Sequence, residues 1–163
     1  MPYTTPKTWA SGDVLTAADL NTYVRDNVAF LAAGTLGYAQ VVANQVTITT
    51  NVDLTGLAVT VTVGTARRIK ISAEIGVGVS NIDTTARIQI QEGATVLQRR
   101  DAKPDVSDGT TNLYELGASV VLTPAAGVHT YKLTLERVAG TGNVQLGAGT
   151  TFPAFIIVED IGA

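Results

Sequence analysis

The sequence predicts a mainly β protein: an antiparallel sandwich or jelly roll of about eight to ten strands, preceded by an extended N-terminal arm and one short α-helix. Three observations lead to this prediction. From residue 38 onward, apolar and polar residues alternate, which is the period of strands with one buried face. Turn sequences rich in Gly, Asp, Asn and Thr separate these runs, and no helical pattern interrupts them, which excludes parallel βαβ units. A helical spacing of apolar residues appears in residues 15–34.

The first 14 residues predict an extended arm. They contain Pro2, Pro6 and the single tryptophan of the chain, Trp9, and prolines at this density do not favour a regular element. A lone tryptophan in such an arm usually anchors it by packing into a pocket, either of its own subunit or of a neighbour. Stacking on a ligand is the less common alternative.

Residues 15–34, LTAADLNTYVRDNVAFLAAG, carry the start and stop signals of a helix. Thr16 fits the N-cap, and Asp19 three residues later completes a capping box with Asp in place of Glu. Leu15 and Leu20 are spaced as a hydrophobic staple. Gly34 is expected to end the helix in the left-handed conformation.

One side of this helix predicts an attachment surface. A 4-3-4 spacing that resembles a coiled coil joins Leu20, Val24, the polar Asn27 and Leu31. Barely two heptads are present, too few to drive self-association. The helix must therefore dock onto its own sandwich, onto sister helices or onto a partner. Residues 1–36 are predicted to serve attachment and trimerisation, and residues 37–163 to form the β domain. With the arm, the predicted attachment residues are Trp9, Leu15, Leu20, Tyr23, Val24, Asn27, Phe30 and Leu31.

The strands are predicted from alternation. The clearest runs are 57–63 (LAVTVTV), 67–79 (RRIKISAEIGVGV), 84–91 (TTARIQIQ) and 128–138 (VHTYKLTLERV). Each places apolar side chains on one face and polar side chains on a face expected to contact water. The last strand differs, because Phe155–Val158 is continuously apolar. Both of its faces should be covered, and in a two-layer domain the second cover is often a neighbouring subunit.

Composition favours an assembly. Charged residues make up 15% of the chain, well below the usual quarter, and the mean hydropathy is +0.24. The net charge is −3, without a basic run interleaved with aromatic residues, so nucleic-acid binding is not predicted. No apolar segment matches a signal peptide or a transmembrane helix, so no membrane association is predicted.

The sequence contains few of the side chains that usually serve in catalysis. Cysteine is absent and His129 is the single histidine, and a half-buried structural imidazole is far more common than a general base in such a position. Asp101, Asp105 and Asp108 could offer oxygens to calcium, but their spacing does not match an EF-hand loop. The single outward glutamates of the strands are expected to be solvated or paired across strands, and nothing indicates two acids that face each other in a cleft. The sequence predicts no enzyme, no cofactor and no metal site.

Two segments carry a family resemblance. Residues 5–31, TPKTWASGDVLTAADLNTYVRDNVAFL, are similar to the opening of small virion structural proteins of tailed bacteriophages. The positions that stand in that motif are Trp9, Gly12, Asp13, Thr16, Ala17, Ala18, Asp19, Leu20, Asn21, Arg25, Asp26 and Asn27. The C-terminal runs LTPAAGVHTYKLTLERVAGTGNVQ and TTFPAFIIVEDIGA resemble the last strands of the tumour necrosis factor and complement globular-head jelly rolls.

The resemblance implies a non-enzymatic virion protein, assembled in the host cytoplasm, whose partners are other phage capsid or tail proteins. It implies a homotrimer with Phe155 and Ile157 at the interface near the threefold axis. The short chain fits a capsid decoration or head appendage. The alternative is a minor tail or tail-fibre protein that binds a host receptor or glycan, with recognition in the loop Asp101–Thr111.

Overall fold

The computed structural model describes residues 5, 7–25, 34–103 and 113–162. A short helical segment precedes the strands, with an α-helix, α1, at Ala17–Leu20 and a π-helix at Asn21–Arg25. Ten strands follow in the described part: β1 Gly34–Val41, β2 Gln45–Ile48, β3 Val52–Val63, β4 Arg68–Val79, β5 Thr85–Glu92, β6 Thr95–Ala102, β7 Tyr114–Leu122, β8 Gly127–Ala139, β9 Val144–Gly147 and β10 Ala154–Gly162.

The start of the predicted helix is confirmed. The Asp19 amide donates to Thr16 Oγ1 at 3.1 Å, and the Thr16 amide donates to Asp19 Oδ2 at 3.2 Å. These two bonds form the capping box, which satisfies amides that an open helix end would leave without partners. The helix of the structure thus begins at the residue after Thr16.

The predicted extent of the helix, residues 15–34, is wrong. The α-helical part ends at Leu20, the π-helix continues to Arg25, and residues 26–33 lie outside the described residues. Gly34 opens β1 instead of ending a helix. Its partner in the antiparallel ladder is Asp160, so pairing with the last strand determines the backbone conformation of Gly34.

Two antiparallel sheets form the sandwich. In the six-stranded sheet the order is β1-β10-β4-β9-β2, with β7 on the other edge of β4. In the four-stranded sheet the order is β3-β8-β5-β6. Consecutive strands therefore alternate between layers in much of the chain, as in jelly rolls. The predicted fold class is confirmed, and the strand number is at the upper end of the predicted range.

The core lies between the sheets, as the alternation predicted. The apolar positions of 57–63 and 69–79 are buried, and so are Ile88, Ile90 and Leu133. The predicted exposure to water is wrong for three side chains. Gln89, Gln91 and Thr134 are buried, although their strands place them on the side away from the core. The two glutamines are buried with hydrogen-bond partners on neighbouring side chains.

No helix in the described ranges is long and apolar enough to cross a membrane. The predicted division at residues 36 and 37 falls inside β1, whose first three residues belong to the segment assigned to attachment. Any separation of the arm from the sandwich should therefore be made before Gly34, so that β1 keeps its full pairing with β10.

Candidate interaction surfaces

The outer face of the six-stranded sheet contains both residues predicted at a trimer interface. Antiparallel pairing aligns the outward side chains of β1, β10, β4 and β7 in rows, because partners across a ladder point to the same side. Successive rows contain Gln40, Phe155, Glu74 and Gly117; Tyr38, Ile157, Ser72 and Ser119; and Glu159, Lys70 and Val121.

Apolar side chains occupy the β1–β10 side of this face. Tyr38 is 50% exposed, and its ring centroid lies 6.1 Å from that of Phe155. Phe155 and Ile157 are partly exposed, whereas their neighbours Ile156 and Val158 are fully buried in the core. The outer side of β10 is therefore incompletely covered within one subunit, although its residues are as apolar as those of the inner side.

A cleft of about 400 Å³ opens at one end of the same face. Its lining residues are Glu74, Ile75, Gly76, Leu113, Glu115, Thr151, Phe152, Pro153 and Phe155. The cleft combines apolar walls with two carboxylates, and Phe152 is 43% exposed at this site.

The two carboxylates form a pair. Glu74 lies opposite Gly117, and Gly76 lies opposite Glu115, so the two glutamates are diagonal neighbours on one face of adjacent strands. A hydrogen bond to Glu115, assisted by burial and by the charge of Glu115, raises the pKa of Glu74. Two carboxyl groups can hydrogen-bond to each other only when a proton is shared between them.

Sequence reasoning missed this pair, because nothing along the chain indicated two acids that face each other. The spacing along the chain does not reveal the contact, since it depends on the β4–β7 register. Alternation did indicate that Glu74 faces outward, so the orientation was predictable. Its neighbour on the next strand was not.

The outer face of the four-stranded sheet is different, because its polar side chains bind one another. Arg87 donates from Nε and Nη2 to the two oxygens of Asp101 at 2.6 and 2.8 Å, and this pairing lowers the pKa of Asp101. Gln89 Nε2 donates to Glu136 Oε1 at 2.7 Å, and Gln91 Nε2 donates to Gln89 Oε1 at 3.0 Å. These bonds explain how the two glutamines are buried without loss of partners.

The same face continues with paired side chains toward β3. Lys132 Nζ lies 2.8 and 2.9 Å from the two carboxylate oxygens of Asp53. The hydroxyls of Thr60 and Thr130 are 2.8 Å apart across the β3–β8 ladder. Opposite charges and hydroxyl pairs across strands stabilise a sheet locally, so this face is satisfied within the subunit.

His129 is held by two acceptors. Its Nδ1 lies 2.7 Å from Glu92 Oε1, and its Nε2 lies 2.9 Å from the Ala125 carbonyl oxygen. Its ring is stacked parallel to Tyr131, with centroids 6.0 Å apart. The bond to Glu92, followed by the bond to the Ala125 carbonyl, raises the pKa of His129. Both ring nitrogens are engaged, which agrees with the predicted structural imidazole.

The N-terminal segment exposes the apolar residues that the sequence assigned to attachment. Trp9 is 41% exposed, with Lys7 Nζ 4.4 Å from the centre of its ring, a cation–π arrangement. Leu15, Leu20 and Val24 are each about half exposed.

The helical segment makes few contacts with any strand in the described part of the chain. Tyr23 is partly buried, and the predicted attachment residues Asn27, Phe30 and Leu31 lie outside the described residues.

The acidic loop considered for calcium is described only in part. Asp101 is bound to Arg87, and Asp105 and Asp108 lie outside the described residues. Within the described ranges, no group of three or more His, Cys, Asp or Glu side chains is placed to hold a metal ion.

Among known proteins, the chain is similar only to solved structures. No family model and no curated protein matches the chain. The structure of Eiger TNF from S. frugiperda aligns at a TM-score of 0.45 with 12% identity, over 80% of this chain and 93% of that one. The carbohydrate-binding module CBM36, in complex with calcium and xylotriose, aligns at 0.39 with 16% identity, over 75% and 98%.

A structure of infectious bursal disease virus, Gx strain, aligns at a TM-score of 0.38 with 11% identity. The alignment covers 81% of this chain and 38% of the viral chain. At such TM-scores and identities these likenesses carry no argument about function. The observed strand order defines the fold.

Proposed function

We propose that the protein is a non-enzymatic structural protein of a bacteriophage virion, a homotrimer attached to other virion proteins through its N-terminal segment. The observation that carries this proposal is the exposure of Leu15, Leu20 and Val24 on a capped helical segment. These residues belong to the stretch that resembles the opening of phage virion proteins. Within the virion, the role that we propose is capsid decoration or a head appendage.

Attachment through this segment is physically reasonable. The two bonds of the capping box lie within the helical segment itself, so they order its start locally and present its apolar side chains in a defined geometry. Full burial of a leucine or valine side chain contributes about 1.5–3 kcal/mol. Burial of all three side chains by a partner would supply several kilocalories per mole toward binding.

Trimerisation is assigned to the outer face of the six-stranded sheet. Phe155 and Ile157, with Tyr38 beside them, form an apolar strip that one subunit leaves partly exposed. The opposite outer face bonds its own polar groups and offers no comparable strip. We therefore place the second and third copies of the chain against β10 and β1, as the resemblance implied.

The attachment proposal is tested with the full-length double variant Leu20→Ser/Val24→Ser and with phage particles produced without this protein. The matched control is Val128→Ser, because Val128 is 70% exposed on the four-stranded sheet. The double variant should fold normally by circular dichroism yet cosediment with particles at least about tenfold more weakly, as expected for loss of buried apolar contacts. Binding equal to that of Val128→Ser would refute attachment through the helical segment.

The alternative, a tail module that binds a host receptor or glycan, placed recognition in the loop Asp101–Thr111. The structure describes residues 101–103 of this loop. Asp101 is engaged by both Nε and Nη2 of Arg87, so the described part of the loop presents no free carboxylate to a sugar. We therefore keep the structural role as the proposal.

A further inference from the structure

The acid pair stands on the surface that we assign to trimerisation. We propose that Glu74 and Glu115 make self-association of this face depend on protonation, so that the copies bind one another more tightly in acid. This inference deepens the proposed function and rests on it, because the second copy must cover the face that carries the pair. The molecule that covers this face is another copy of this chain.

The position of the pair supports this coupling. Phe155, which is proposed to contact the next subunit, lies directly opposite Glu74 in the β10–β4 ladder. Phe155 and both glutamates also line one cleft. A copy that covers Phe155 therefore also removes water from the two carboxylates, and removal of water penalises the charged form of an acid.

The strands that form this face place no basic side chain beside the pair. On β4 the nearest basic residue of the same face is Lys70, four positions from Glu74 and so about 13 Å along the strand. Arg68 is two positions further away. On β10 the charged residue of this face is Glu159, which pairs with Lys70. On β7 no other charged residue shares the face.

The remaining neighbours of the pair are uncharged. Gln40 of β1 stands in the same row, and the segment before β10 contributes Thr151 and Phe152 to the cleft. The titratable pair His129 and Glu92 belongs to the four-stranded sheet. On β1, β4, β7 and β10 no base lies beside the two acids, so a proton is the means of neutralising them on this face.

The direction of the effect follows from linkage. Contact with another copy removes water from the pair and so favours the form that carries a proton. Association therefore takes up protons at pH values where the free subunit has lost them. Each proton taken up in an association step changes the constant of that step by about tenfold per pH unit. Self-association should weaken as the pH rises and strengthen as it falls.

The experiment is sedimentation velocity of the full-length chain at fixed ionic strength, from about pH 5 to about pH 8, a range chosen around carboxylate pairs with raised pKa values. The variants Glu74→Gln and Glu115→Gln each remove one carboxyl of the pair. Glu159→Gln is the matched control, because it removes the same charge from the same face two rows away. Circular dichroism at each pH establishes that every sample is folded, and the exposed Glu115 provides the second variant if Glu74→Gln fails to fold.

The wild type should show a larger mean mass in acid than at about pH 8, by at least about tenfold in association constant. Glu74→Gln and Glu115→Gln should associate at high pH as the wild type does in acid, whereas Glu159→Gln should keep the wild-type dependence. A wild type that associates equally at all pH values overturns the inference and leaves the proposed trimer standing. Monomers throughout, in the wild type and in all variants, overturn both. Loss of the dependence in Glu159→Gln as well overturns the assignment to the pair.

Discussion

The two outer faces of the sandwich share one architecture but treat their charges in opposite ways. On the four-stranded sheet each described acid faces a base or an amide, as in Arg87 with Asp101 and Lys132 with Asp53. On the six-stranded sheet Glu74 faces another acid, Glu115, beside a partly exposed phenylalanine. A face that neutralises its own charges needs no partner. The other face carries an apolar strip and an acid pair, and we propose that another copy of the chain covers it.

The largest effect is expected when a charge is placed on the apolar strip. Ile157→Lys should raise the dissociation constant for self-association by at least about 100-fold, because an ammonium group would be desolvated in the proposed contact. The matched variant is Thr62→Lys, since Thr62 is exposed on the other outer face. Analytical ultracentrifugation compares the two.

Thr62→Lys should associate as the wild type does, because the four-stranded face is satisfied within the subunit. If both lysine variants associate like the wild type, β10 is not part of the contact. If both lose association, the effect reflects net charge, and the difference between the faces does not determine assembly.

The next effect concerns the bonds that bury polar side chains on the four-stranded sheet. Gln89→Ala should lower the free energy of unfolding by about 1–3 kcal/mol, because Glu136 and Gln91 each lose a hydrogen-bond partner. Ser119→Ala, on the six-stranded face, removes an exposed hydroxyl contact of 3.3 Å with Ser72 and should change it by less than about 0.5 kcal/mol, as expected of an exposed site. Urea titration at neutral pH measures both. Equal effects would show that the two faces are equally self-satisfied.

Local patterns predicted most of the fold. Alternation placed Leu57, Val59, Val61 and Val63 in the core, and all four are buried, because a strand's period is independent of its partners. The capping box was predictable for the same reason, since Thr16 and Asp19 bond across one turn. These features depend on contacts between residues that are close in sequence.

The features that were missed depend on long-range pairing. Gly34 matches a helix stop, but its ladder with Asp160 makes it the first residue of a strand. Gln89 follows the pattern of a wet face, and it is buried because Glu136 on the next strand accepts its hydrogen bond. The contact between Glu74 and Glu115 required the β4–β7 register. Each error follows from a neighbour that the sequence does not identify.

A smaller effect of opposite sign is expected at Thr134. Its hydroxyl oxygen is buried and has no hydrogen-bond partner in the described part of the chain, so the hydroxyl is desolvated without compensation. Thr134→Val should raise the free energy of unfolding by about 1 kcal/mol, since valine has nearly the same shape. Thr130→Val is the control and should not stabilise, because it removes the bond to Thr60. Destabilisation by Thr134→Val would show that this hydroxyl is satisfied.

The smallest expected effect distinguishes the contact between His129 and Glu92 from the pair Glu74 and Glu115. Because the pKa of His129 is raised in the fold, its contact with Glu92 stabilises the protein fully below the unfolded value of 6.5 and is lost as the pH rises through the folded value. His129→Gln should therefore lower the melting temperature more in acid than in base. The difference should correspond to at most about 1 kcal/mol, because Glu92 is about one third exposed and solvent screens the pair.

Thermal unfolding of the wild type and of His129→Gln, measured from about pH 5 to about pH 8.5 around the ordinary histidine pKa, provides the comparison. Acid should strengthen His129 as a contact within one subunit, and His129→Gln should leave the pH dependence of self-association unchanged. Glu115→Gln should change self-association. It should not alter the pH dependence of the difference in melting temperature that His129→Gln causes. If His129→Gln also removed the pH dependence of self-association, the two clusters would be coupled, and the separation between a self-satisfied sheet and a sheet completed by its partners would fail.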